Sequence, residues 1–166
     1  MGYWILQSNP RTFRTLDYLR DHPAELDWWH ISRYRDQIKP GDIAFIWKSK
    51  GRAEQDDRGI YATAVVVSTP PHKEPYAPGS RFWEELEETA KEYWADTKEA
   101  ARLRKHPQIV LAYSRLLLGR PVTAEVVEDT PGLEGLPILL YPPHQGIYKL
   151  TDEQGRRIQA LVQASG

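Results

Sequence analysis

Cysteine is absent from the 166-residue chain, which excludes disulfides, thiolate nucleophiles and any zinc site built on sulfur, and fits a reducing compartment such as the cytoplasm. Long hydrophobic runs are also missing. No stretch approaches the roughly 20 apolar residues that a helix needs to cross a bilayer, so no membrane span is expected. The first residues, Met1-Gly2-Tyr3-Trp4-Ile5-Leu6-Gln7, show no basic leader and no cleavage-like site, and pass straight into strand-like sequence. An excess of one charge is lacking too, with 22 Lys+Arg against 23 Asp+Glu and a formal net charge of -1. A protein that holds nucleic acid mainly by neutralising phosphates is normally basic overall, so any such contact here must be local. The sequence contains no G-x-S-x-G elbow, no G-x-x-x-x-G-K-[ST] loop and no G-x-G-x-x-G turn, which removes the common acyl-transfer and nucleotide sites. Its five histidines never recur as H-x-H or H-x-x-x-H, and neither a metal nor a cofactor is expected.

What the chain does have is tryptophan in unusual company. Four of its six tryptophans, Trp4, Trp28, Trp29 and Trp47, fall within the first 47 residues, among polar and basic neighbours such as Asp27-Trp28-Trp29-His30 and Ile46-Trp47-Lys48-Ser49. A large flat ring beside cations at a strand end suits the gripping of a planar ligand by stacking, although a single tryptophan is more often a core residue. From Arg33 to Arg52 six cations (Arg33, Arg35, Lys39, Lys48, Lys50, Arg52) face two anions (Asp36, Asp42), so the locally basic segment coincides with the aromatic one. The clustered Glu84, Glu85, Glu87 and Glu88 spread around the polar side of a helix and read as a solvated face.

At this length one domain spanning residues 1–166 is expected. Tyr3 to Gln7 reads as a strand closed by the turn Ser8-Asn9-Pro10. Phe13, Leu16 and Leu19 suggest a short helix ended by His22-Pro23, and Leu26 to Ile31 is ambiguous between strand and loop. One helical turn at Tyr34 to Ile38 precedes the turn Lys39-Pro40-Gly41-Asp42. Ile43 to Trp47 and Gly59 to Val67 read as antiparallel neighbouring strands. A proline-rich connection at residues 69–79 leads to a helix capped at Ser80, with Trp83, Leu86, Ala90 and Tyr93 or Trp94 along one face, so Trp83 and Trp94 read as packing residues. Asp96 and Glu99 form a second capping signature. Gln108 to Leu118 reads as a strand, residues 123–129 as a weak helix, and Pro137 to Tyr141 as a late strand. Thr151 and Gln154 form a capping box for a final helix with Ile158, Leu161 and Val162 on one side.

Taken in order, Tyr3-Trp4, Ser8-Asn9-Pro10, Trp28-Trp29 with Arg33 and Tyr34, Lys39-Pro40-Gly41-Asp42, Phe45-Ile46-Trp47, Gly59-Ile60-Tyr61-Ala62 and Gln145-Gly146 before Tyr148 to Thr151 resemble the EVE domain family of the PUA-like superfamily. The resemblance spans nearly the whole chain and implies an α+β class, a PUA-like curved mixed β-barrel with peripheral helices. It also implies a non-catalytic pocket for modified bases in DNA or RNA, single-stranded or flipped out, in the manner of the related YTH domains. Carried over, Ser8 and Asn9 stand at the pocket mouth, Trp28, Trp29 and Tyr34 near its wall, and Trp47 opposite Trp29. Gln145 and Gly146 form a further wall; the family's proline lies next to this glutamine, whereas here His144 intervenes and the prolines stand at 142 and 143. A flipped base is read by stacking and by hydrogen bonds to its edge, with Trp29 and Trp47 expected as the two faces, Ser8, Asn9 and Gln145 as edge contacts, and Arg33, Lys48 and Lys50 on flanking phosphates. Two other readings stay open. One is an enzyme or binder acting on a small planar metabolite or nucleoside, with Asp56, Asp57 or His144 as acid or base. The other is an interaction module built on Trp83, Trp94 and the proline-rich loop.

Overall fold

The computed structural model describes residues 1–23, 26–50, 56–140 and 146–165. Among these, seven strands form one mixed sheet: β1 (Tyr3–Ser8), β2 (Leu26–His30), β3 (Ile43–Lys48), β4 (Gly59–Ser68), β5 (Gln108–Leu116), β6 (Val122–Thr123) and β7 (Ile147–Leu150). Their order is β2-β5-β4-β3-β1-β7, with β6 paired to β4. β1 runs parallel to β3, Tyr3 opposite Ile43 through Ser8 opposite Lys48; the other pairings are antiparallel. Register shifts at Ile46/Trp47, Thr63/Ala64 and Val66/Ser68 place bulges in the central strands, which strengthen the local twist. Because β2 and β7 end the sheet without pairing to each other among the described residues, the sheet is open where a barrel would be closed.

Both faces of the sheet are covered, and the period-two alternation of a strand sorts side chains between two cores. Trp4 and Leu6 of β1, Ala44 and Ile46 of β3, and Ala62, Ala64 and Val66 of β4 join one cluster with Trp29. Tyr3 and Ile5, Phe45 and Trp47, and Ile60 join the other. The first core is capped by Tyr18 and Leu19 of α1 (Thr15–Asp21), by Ala90 at the end of α2 (Arg81–Ala90), and by Tyr93 of the 3-10 turn Lys91–Tyr93. The second lies under α4 (Ala124–Asp129), α5 (Pro137–Leu140) and α6 (Asp152–Ala164), through Val127, Ile138, Ile158 and Val162. α6 lies close against β1: a Cβ on Gly155 would fall 2.0 Å from Cγ of Tyr3. A glycine that weakens an exposed helix by about 1 kcal/mol is here what allows two elements to touch.

The caps follow the sequence signals closely. Thr151 and Gln154 complete a reciprocal capping box on α6, Asp96 accepts from the Glu99 amide at the start of α3 (Thr97–Leu103), and Leu26–His30 resolves as a strand. Pro137–Leu140 is helical where a strand was expected. The amides of Leu136 and Leu139 donate to the carbonyls of Leu133 and Leu136, so a run of tight turns enters α5, and proline at the first helical position suits that geometry. Ser80 holds the cap position of α2 but its side chain caps nothing.

The Lys39-Pro40-Gly41-Asp42 turn is a structural clamp. The buried Asp42 carboxylate accepts from the Gly2 amide at 2.7 Å, the Trp4 indole at 2.9 Å and the Lys39 amide at 2.9 Å. Trp4 is thereby fixed with its ring 5.3 Å from that of Tyr34, a residue held at φ 60, which side chains other than glycine seldom adopt.

Candidate functional site

The two ends of the open sheet do not leave an empty seam. Between them lies a cavity of about 230 Å³. One side comes from β2, the first strand in the sheet order, through Asp27, Trp28, Trp29 and His30; the other from the end of β1 through Gln7 and Ser8, with Asn9 and with Gly146 at the entry to β7. β2 is an edge strand, and four of its consecutive residues line the cavity. The roof is Phe13, Trp94, Glu99, Arg102 and Leu103. The Arg14 amide donates to the Tyr93 carbonyl at 2.8 Å, and that of Ala95 to the Thr12 carbonyl at 2.9 Å. These bonds clip the Phe13 segment to the Trp94 segment.

The aromatic lining is arranged for contact with a planar group. Trp28 and Trp94 are half-buried, their ring centroids 6.3 Å apart at 36°. Phe13 stands 4.9 Å from Trp94, and His30 lies 5.9 Å from Trp28. Trp29, buried in the first core, closes the floor.

The polar lining is deeply set and incompletely satisfied. Oε1 of Gln7 and Nδ1 of His30 are buried without a hydrogen-bond partner among the described residues, and such a group costs about 1–3 kcal/mol unless something pairs it. Burial, reinforced by the nearby His106 and Arg102, drives the His30 imidazole down to about 4, so it is neutral at physiological pH. Asp27 is buried; its Oδ1 accepts from the Trp28 amide at 2.8 Å and its Oδ2 from the Tyr113 hydroxyl at 2.7 Å. Desolvation outweighs both bonds and lifts its carboxyl to about 6. At the rim Arg102 Nε donates to Glu99 at 2.7 Å, which leaves the mouth without an uncompensated cation from α3.

A raised carboxyl means that ionising Asp27 opposes folding. The stability associated with its neutral form is complete below the unfolded value near 3.8 and is lost as pH rises through about 6. Asp27→Asn is therefore expected to stabilise the chain at neutral pH by on the order of 3 kcal/mol, and to have little effect at acid pH. Urea unfolding at both pH values measures the difference.

Of the residues singled out from sequence, Ser8, Asn9, Trp28, Trp29 and Gly146 are brought together here. Ser8 is buried and shares a 2.5 Å hydrogen bond with Thr15; Asn9 Oδ1 accepts from the Arg11 amide at 2.9 Å, a turn contact. Arg33, Tyr34, Trp47 and Lys48 are not among the described lining residues. Trp47 does not face Trp29: it is 1% exposed and packed in the second core, across the sheet. Tyr34 packs on Trp4, Arg33 is exposed, and Lys48 is ion-paired with Asp57. Gln145 and His144 lie outside the described residues, as does Arg52. Sequence reasoning passed over Gln7, Phe13, Asp27 and His30 as lining residues; Trp94, read as a packing residue, packs on Phe13 and Trp28 and also lines the cavity. Asp27 and His30 flank the tryptophan pair, and that adjacency was the available signal.

An α+β architecture with an open, PUA-like mixed sheet is thus defined together with a cavity at its seam. The chain belongs to the EVE domain family, which it matches over residues 2–161. A Pseudomonas syringae protein of known crystal structure is similar at 20% identity and TM-score 0.59, over 96% of this chain and 99% of that one. A Leishmania major protein is similar at 13% identity and TM-score 0.60, over 99% of this chain and 96% of that one. Human THYN1, crystallised in complex with DNA containing 5-methylcytosine, is similar at 14% identity and TM-score 0.56, over 97% of each chain. At such identities the likeness is one of fold. No curated protein matches the chain. Among the described residues no helix is long and apolar enough to cross a membrane.

Proposed function

We propose that residues 1–166 act as one non-catalytic, cytoplasmic reader of modified bases in DNA or RNA, receiving a single-stranded or flipped-out base in the cavity between β2 and the end of β1. The observation that carries this reading is a cavity lined by the adjoining, half-buried rings of Trp28 and Trp94, in which buried Gln7 and His30 atoms have no partner among the described residues. Stacking on an aromatic ring contributes about 1–3 kcal/mol per base and tolerates any base. Selectivity must therefore come from the polar floor. The THYN1 complex with methylated DNA supports the same ligand class. In this reading the exposed Arg33 reaches a flanking phosphate, Ser8, Asn9 and Gly146 line the mouth, and Gln145 adjoins them. Lys48 is committed to Asp57, and Trp47 acts from the core beneath the sheet.

Titration with matched single-stranded oligonucleotides, one carrying 5-methylcytosine and one unmodified, is expected to quench tryptophan fluorescence more strongly with the modified strand. Equal quenching by both contradicts selective recognition.

One observation favours the reading as an enzyme on a planar nucleoside or metabolite: a carboxyl at about 6 inside the cavity is placed as a general base would be. Asp56, by contrast, is held at about 2 by its hydrogen bonds from Arg58. Mass analysis after incubation with nucleosides separates the two readings, since only an enzyme yields product.

A further inference from the structure

We propose that the backbone of the bound strand runs along one side of α3 and past the end of β2, its phosphates held by Lys98, Lys105 and Arg33 just outside the cavity. This rests on the base-binding reading above and adds the path that the rest of the ligand takes.

Glu99, Arg102 and Leu103 of α3 line the cavity. Lys98 precedes Arg102 by four residues, so the two lie one turn apart on the same side of the helix. The winding continues past Leu103, because the amides of Arg104 and Lys105 donate to the carbonyls of Ala100 and Arg102 at 3.1 and 3.3 Å and Arg104 keeps helical dihedrals. Lys105 therefore joins the same side. From Lys98 to Lys105 the row measures about 10 Å at 1.5 Å per residue, longer than the roughly 3.4 Å step between stacked nucleotides of one strand, so it spans more than one phosphate. Arg104 is turned away to α2 by its ion pair with Glu87 at 2.9 Å.

The end of β2 meets the end of this row. His30 is paired with Gln108 in the register and the Ile31 amide donates to the Pro107 carbonyl at 2.8 Å, so the chain leaves β2 beside the segment that follows Lys105. Arg33 is exposed there.

Charge divides between the cavity and its surroundings. At the mouth Arg102 is balanced by Glu99, to which its Nε and one Nη donate. Outside it, Lys98, Lys105 and Arg33 are exposed, and none has an ion pair among the described residues. Besides Glu99, the acid on this stretch is Asp96, whose carboxylate accepts from the Glu99 amide at the start of α3. Cations set outside the cavity answer to phosphates, which position a strand, and the rings within it answer to the base. The segment that reads as basic in the sequence lacks this character. Lys48 pairs with Asp57 and Arg58 with Asp56, and Lys50 stands close enough to Asp56 to help hold its carboxyl down.

The test follows binding of the full chain to a short single-stranded oligonucleotide carrying 5-methylcytosine between about 50 and about 200 mM salt. In a single strand each phosphate contact adds about 0.7 to the slope of log affinity against log salt. The variant that combines Lys98→Gln, Lys105→Gln and Arg33→Gln is expected to lower that slope by about 2, so that roughly twentyfold less affinity is lost across this range. Its preference for the modified over the unmodified strand is expected to stay native, because phosphate contacts carry no base information. Arg156→Gln, which removes an exposed cation of α6 across the sheet, is expected to keep the native slope. Thermal unfolding verifies that the variants are folded. A native slope in the combined variant, or an equal drop in Arg156→Gln, overturns this path, and weakened binding in Trp28→Ala then leaves the base site standing. Binding unaffected by Trp28→Ala overturns the site itself.

Discussion

Trp28→Ala is expected to leave thermal unfolding nearly unchanged and to weaken oligonucleotide binding by roughly tenfold or more. The indole is half-buried and lies at the cavity wall on an edge strand, 6.3 Å from Trp94 and 5.9 Å from His30. Removing it takes away one stacking face, worth about 1–3 kcal/mol, and every 1.4 kcal/mol is about tenfold in affinity. Little of the core depends on this ring. Isothermal titration beside a melting curve measures both quantities, and a folded variant with native affinity would place the ligand elsewhere.

Trp47→Ala is expected to do the reverse, costing about 3–5 kcal/mol of stability, as large aromatic deletions from cores do. Its side chain is 1% exposed and packs with Tyr3, Phe45 and Ile60 under α4 to α6. The cost follows from the void left between β3 and the helices, which neighbours fill only in part. Denaturant unfolding gives the figure. A loss below about 1 kcal/mol, the range of surface changes, would show that the ring is not a core element.

The opposite expectations for two tryptophans show where sequence reasoning carries and where it stops. Tyr3 to Gln7, Ile43 to Trp47 and Gly59 to Val67 were readable as strands because short runs rich in β-branched and aromatic residues, bounded by turn residues, mark strands buried on both faces. The caps at Thr151, Asp96 and Thr123 were local, and the first two were read directly. Which face a strand turns toward which core is not local. Trp29 and Trp47 stand in similar polar company, yet the sheet separates them, since Phe45 and Trp47 alternate with Ala44 and Ile46. Trp94 was hidden for a related reason. Helical spacing from Trp83 placed it on a packing face, whereas the chain leaves α2 through a 3-10 turn and becomes extended at Trp94, which carries the ring over Phe13 and Trp28. The carboxyl of Asp27 could be assigned no role from sequence, as its displaced titration arises from burial against β5 and α1.

The seam between β2 and β7 explains why an open sheet and a binding site go together. Closing it with hydrogen bonds would satisfy two strand edges and leave no room for a ligand. Left open, it holds an aromatic slot with an acid floor at the cost of two buried polar atoms that lack partners among the described residues.

A crystal structure of the chain with a single-stranded oligonucleotide containing 5-methylcytosine tests the central claim most directly. One base is expected in the cavity between β2 and the end of β1, stacked against Trp28. An oligonucleotide bound across another surface, with that slot unoccupied, would contradict it.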